Sequence, residues 1–203
     1  GPFQKPSTEL QISAGPKLFK ISEFRKAAFG YFGHMWELYA FWAFTPLAVQ
    51  TFNEIHTKQL SVPLWTGIII GLGGLSCMLG GIVSQRLGSK KVAVTALFIS
   101  GFLCIVSPLL FQINSLLFLS GWCLWGMAVT ADSPQFSSLV ASAVPDELKG
   151  TGLTLVNCIG FAISIVSIQL LAFLSNQLEI RFLFIILALG PIFGLSQLIK
   201  KSH

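Results

Sequence analysis

Six apolar runs, each near the roughly 20 residues a helix needs to cross a bilayer, dominate this chain. They occupy residues 27–51, 62–83, 92–111, 116–144, 151–174 and 180–199, with short connectors that suit antiparallel neighbours. Only 10% of the residues are charged, against about 25% in a soluble domain, so lipid rather than water is the expected solvent. The runs longer than 20 residues fit by tilt or by extension past the hydrocarbon. The predicted class is an all-α membrane protein with six transmembrane helices in one domain, residues 23–203. Residues 1–22 form a cytoplasmic linker and interfacial segment. Within PKLFKISEFRKAAF, Leu18, Ile21 and Phe24 alternate with basic residues, as in a short helix lying at the membrane interface or a solvated approach to it.

Orientation follows from the basic residues. With the N-terminus cytoplasmic, Lys5, Lys17, Lys20, Arg25, Lys26, Arg86, Lys90, Lys91, Lys149, Lys200 and Lys201 share one side, and only Lys58 and Arg181 the other. Eleven against two is the bias of a multi-pass inner-membrane protein, and an even number of spans puts both termini in the cytoplasm. The net charge of +5 therefore reflects topology and contact with anionic membrane lipids. No basic patch interleaved with aromatics lies outside the runs, so nucleic acid is not an expected partner.

Polar groups inside the runs carry the chemistry. GYFGHMWELYAFWAF holds His34 and Glu37 within the first run. A carboxylate at mid-bilayer costs at least about 2.5–3.5 kcal/mol on insertion scales, and no Lys or Arg lies within that run to pair with it. At about 100° per residue, His34, Glu37, Phe41 and Thr45 fall on one stripe, which must face protein or a water-filled cavity. His34 stands three residues from Glu37, close enough to meet and tune it. The fourth run repeats the pattern in AVTADSPQFSS: Asp132, Gln135 and Ser142 share a face with Trp125, and Pro134 should kink the helix. Glu37 and Asp132 both lie roughly 15 Å from the cytoplasmic end of their runs. These acids are candidate binding sites for a proton or a cationic group, because desolvated carboxyls are suited to proton exchange. The alternative is a fixed hydrogen-bonded network that only positions helices, with His34 a satisfied core histidine. Asn157 in the fifth run shares a face with Gly160, Ser164 and Ser167 and is a candidate substrate ligand.

Other features read as structural. Gly67 and Gly71 form a GxxxG pair that lets helices approach closely. Cys77, Cys104, Cys123 and Cys158 are scattered one per run and read as small packing residues. No metal-ligand spacing, nucleotide loop, GxSxG, HExxH or CxxC occurs, so neither enzymatic activity nor a metal or cofactor is expected.

Two connectors carry a resemblance. GIVSQRLGSKK, after the second run, resembles the Gly-x-x-x-Asp-Arg-x-Gly-Arg-Arg loop of the major facilitator superfamily. Gly81, Arg86, Gly88, Lys90 and Lys91 match in type, Gln85 stands in place of Asp, and Ser89 shifts the basic pair by one place. Pro145 followed by Lys149, Gly150 and Thr151 looks like the loop before the fifth helix of a half, and the departures are those of a C-terminal half. The resemblance covers about residues 20 to 200. It implies two inverted three-helix repeats forming half of a facilitator-type fold, first and fourth helices that line a cavity, and a missing N-terminal six-helix half as partner. It implies alternating-access transport of a small-molecule substrate, coupled to protons, with Arg86, Gly88, Lys90 and Lys91 as a gating loop. The competing expectations are a non-transporting membrane scaffold or assembly subunit and, third, an intramembrane enzyme using the acidic pair.

Overall fold

The computed structural model describes residues 12–200, and every regular element among them is a helix. The first eleven residues of the expected linker, Lys5 among them, and Lys201 lie outside the described residues. A 3-10 turn at Ile12–Ala14 and a short helix α1 (Gly15–Leu18) lead into α2 (Ser22–His56). There follow α3 (Val62–Leu87), α4 (Ser89–Leu110), α5 (Ser115–Ala131), α6 (Ser133–Ser142), α7 (Lys149–Leu174), α8 (Ile180–Leu183) and α9 (Leu189–Ile199). Further 3-10 turns occupy Asp146–Leu148 and Phe184–Ala188.

Five segments are long and apolar enough to cross a membrane: Val62–Leu87, Ser89–Leu110, Ser115–Ser142, Asp146–Leu174 and Ile180–Ile199. Five of the six expected runs thus have the length and apolarity of a membrane span, and the sixth, residues 27–51, lies within α2. The longest helix, α2 with 35 residues, falls outside the set because His34, Glu37, Thr45 and Gln50 interrupt its apolar surface. The first three of these point into the bundle, so α2 is polar where it is packed.

The expected interfacial helix is also redrawn. Residues from Ser22 onward are the first turns of α2, and Leu18 and Phe24 are buried against Gly152 of α7. The segment before the long helix is therefore docked on α7.

Local sequence explains the element ends. Pro63 opens α3, where the missing N–H would have had no helical partner. The Asn114 side chain caps α5 by accepting from the Leu117 N–H at 3.1 Å. The connector GGIVSQRLGSKK is almost wholly helical: α3 and α4 are joined by Gly88 alone, whose φ of 84° is a conformation that side chains disfavour. Pro134 sits in the first turn of α6, and the fourth run breaks at Asp132, as the proline predicts.

Prolines inside helices free carbonyls, and in lipid such groups must find partners within the protein. Pro108 cannot donate to the Cys104 carbonyl, and the Ser107 hydroxyl donates to it instead at 2.8 Å. Pro134 likewise frees the Thr130 carbonyl, which accepts from the Cys77 thiol of α3 at 3.1 Å. Cys77 is thus more than a packing residue: it ties α3 to the break between α5 and α6.

The helices pack in a recurring pattern: α3 lies along α5, and α2 lies along α7 and α9, while α4 bridges α5 and α9. Small residues set the closest crossings. A Cβ on Gly33 would collide with the Gly190 backbone of α9, and one on Gly160 of α7 would stand 2.6 Å from Tyr31. On α3 the packed glycines are Gly73 and Gly80, against Gly126, Thr130 and Ala131. The expected Gly67/Gly71 pair faces open space, which corrects the packing assignment. Both pairs fall on α3, and a GxxxG spacing does not say which face another helix will use.

Two apolar clusters fill the interior. One is aromatic, with Phe52 stacked on Phe118 at 4.1 Å and Phe111, Trp122, Trp125 and Phe184 around them. The other gathers Phe24, Phe32, Met35, Leu97, Phe136 and Leu198. Lys17, Lys20, Arg25, Lys26, Arg86, Lys90, Lys91, Lys149 and Lys200 lie at the end of the bundle nearest this second cluster, and Lys58 and Arg181 at the other.

Candidate functional site

Between the two clusters lies the polar interior. His34 and Glu37 sit one turn apart on α2, between Met35 of the second cluster and Leu38 of the first. Helical spacing puts His34, Glu37, Phe41 and Thr45 on one stripe, and all four are buried. The Thr45 hydroxyl is satisfied within the helix, donating to the Phe41 carbonyl at 2.7 Å.

Glu37 is fully enclosed by donors from two other helices. Trp125 Nε1 of α5 donates to Oε1 at 2.6 Å, and the Cys104 thiol of α4 donates to the same oxygen at 3.3 Å. The Ser100 hydroxyl donates to Oε2 at 2.9 Å and has the Leu97 carbonyl as a second acceptor at 3.2 Å. One carboxyl therefore links α2, α4 and α5. The Trp125 ring packs on Phe41 at 4.8 Å, which fixes the direction of its N–H.

His34 turns away from Glu37, to Asp132 at the break between α5 and α6. Its Nδ1 lies 2.9 Å from Asp132 Oδ1, and its Nε2 lies 3.0 Å from the Ser133 hydroxyl. The expected tuning of Glu37 by His34 is replaced by a second pair that joins α2 to the break. Asp132 is thus paired with the imidazole through Oδ1, and its side chain has no other ion-pair partner among the described residues. Tyr31 and Phe136 flank the imidazole at 5.8 and 5.7 Å, closing the pair in.

The remaining candidates are placed as follows. Gln135 is buried beside Phe136 and makes no side-chain hydrogen bond among the described residues. Asn157 on α7 is half-buried, and it too has no side-chain hydrogen bond among the described residues. Its neighbour Ser164 reaches across to α2, donating to the Met35 carbonyl at 2.8 Å. Arg86, Gly88, Lys90 and Lys91 are all exposed at the basic end. Glu37, His34, Asp132 and Gln135 are at most 2% exposed, so they face protein and not an open groove. Among the described residues no group of three His, Cys, Asp or Glu could hold a metal ion.

Ser100 was not singled out in the sequence, and Cys104, read there as a packing residue, is also a donor to Glu37. Their signal was present: Ser100, Cys104 and Ser107 recur at helical spacing through an otherwise apolar run, a polar stripe that could have been matched to that of α2. Comparison of the chain with family models, with curated proteins and with solved structures gives no match.

Proposed function

We propose that this chain is a six-span half of a facilitator-type secondary transporter, and that its buried acids carry the proton traffic that drives a small solute across the membrane. The observation that carries the reading is Asp132. It is completely buried in an apolar bundle, faces no Lys or Arg among the described residues, and has only a histidine beside it. An ionisable group kept at such cost inside a membrane bundle is by default a functional site. A carboxyl and an imidazole in contact, each able to gain and lose a proton, form a relay between α2 and the break after α5.

The packing pattern supports the repeat layout. Exchanging the first three spans for the last three turns the α3–α5 contact into the α7–α2 contact. The same exchange relates two interhelical bonds: Ser76 of α3 donates to the Met127 carbonyl of α5, and Ser164 of α7 donates to the Met35 carbonyl of α2. The first and last described helices, at Gly15 and Ile199, and the connector at Gly88 fall at the basic end, which on this reading is cytoplasmic.

A second reading draws on Glu37. A carboxyl holding three donors from two helices is what a scaffold requires, and a non-transporting membrane subunit would keep it for that purpose. Proton flux in proteoliposomes separates the two. A transporter shows solute-dependent proton movement that Asp132→Asn abolishes while the variant stays folded. Absence of proton movement with every solute of a broad panel of small ions, sugars, amino acids and drugs, in vesicles holding folded protein, would leave the scaffold.

A further inference from the structure

An apolar groove of about 320 Å³ runs along the outside of the bundle between α3, α4 and α5. Its walls include Ser76, Val83, Leu87, Thr95, Ile99 and Met127, and Lys91 stands at one end. Ser76 and Leu87 are about eleven residues apart on α3, a length of roughly 16 Å. That is half of the roughly 30 Å hydrocarbon core, the depth of one leaflet. At the lysine end the groove adjoins a depression of about 590 Å³ that shares Leu87, Lys91 and Thr95 with it and adds Lys90. Leu79, Val83 and Leu87 remain 42–55% exposed along the groove. Lys90 and Lys91 are exposed, and neither forms a salt bridge among the described residues.

We infer that this groove binds one anionic phospholipid, with an acyl chain between α3 and α4, over α5, and the phosphate at Lys90 and Lys91. The match is one of length and charge together. The apolar part extends from mid-bilayer to the interface, as an acyl chain does, and the cations sit where the headgroup emerges. Two unpaired lysines at that depth attract an anionic headgroup over a zwitterionic one. The site is independent of any transport activity.

The test is native mass spectrometry of the delipidated full chain in detergent, titrated with phosphatidylglycerol or with phosphatidylcholine of the same acyl chains. The expected result is about tenfold tighter binding of phosphatidylglycerol. The double substitution Lys90→Gln/Lys91→Gln should bring the two lipids together. Val83→Trp, at an exposed wall position, should weaken both alike by filling the tail groove. The control Lys17→Gln/Lys20→Gln removes the same charge from the same end and should keep the preference. Equal binding of the two lipids by the unmodified chain would overturn the inference. So would a preference that survives at Lys90 and Lys91, one lost equally in the control, or affinities untouched by Val83→Trp.

Discussion

Replacing Glu37 in two ways separates its chemistry from its packing. In Glu37→Gln the amide oxygen can keep the bond from Trp125 Nε1, and the new NH2 group faces Ser100. The Ser100 hydroxyl can turn its proton to the Leu97 carbonyl at 3.2 Å and accept from the amide, so the network is rearranged rather than broken. Interhelical hydrogen bonds in membrane proteins average about 0.6 kcal/mol and reach about 1.7, which bounds the cost near 1 kcal/mol. Glu37→Ala orphans the Trp125 N–H, at about 1–3 kcal/mol. It also opens a cavity at a fully buried position, for a further 2–5 kcal/mol or so. The sum is about 3–8 kcal/mol. With about 2–4 °C per kcal/mol for a chain of this size, thermal unfolding in detergent should fall by about 2–4 °C for Gln and at least about 6 °C for Ala. Equal losses in the two variants would refute the argument, because the charge and not the bond geometry would then hold the helices together. An Ala variant as stable as the parent would show that the Trp125 bond is not a structural contact.

Four further outcomes follow from the packing and the topology. Gly33→Ala places a methyl group against the Gly190 backbone and should cost about 1–3 kcal/mol, whereas Gly71→Ala, facing open space, should be neutral or slightly stabilising; melting curves with the reverse order would contradict the crossing. Ser107→Ala removes the donor to the Cys104 carbonyl freed by Pro108 and should destabilise by about 1 kcal/mol, with Ser107→Thr restoring it; no difference between the two would dissolve the pairing. Thr57 ends α2 at φ 49°, a strained place for a β-branched residue, so Thr57→Gly should raise stability by up to about 1 kcal/mol, and a loss would contradict the left-handed cap. Single cysteines at Lys58 and Lys90, in a chain stripped of its four native ones, should label from opposite sides of sealed vesicles with a membrane-impermeant thiol reagent; labelling from the same side would overturn the topology.

The local properties of the chain were legible without coordinates. Apolar run length located the helices, because crossing a bilayer is a constraint on consecutive residues. The Pro134 break and the buried stripe through His34, Glu37, Phe41 and Thr45 followed from single-residue stereochemistry and helical period. The identity of each partner was not legible. Trp125 lies 88 residues from the carboxyl it binds and Ser133 lies 99 from its histidine. The i,i+3 spacing of His34 and Glu37 allowed a contact that the packing did not use. Sequence periodicity says which residues share a face and nothing about which helix that face will meet. The same limit reversed the glycine assignment on α3, where Gly73 and Gly80 were packed and Gly67 and Gly71 were left open. It also bears on α2, whose Glu37 and His34 meet partners on α4, α5 and the break before α6 only once the helices have assembled.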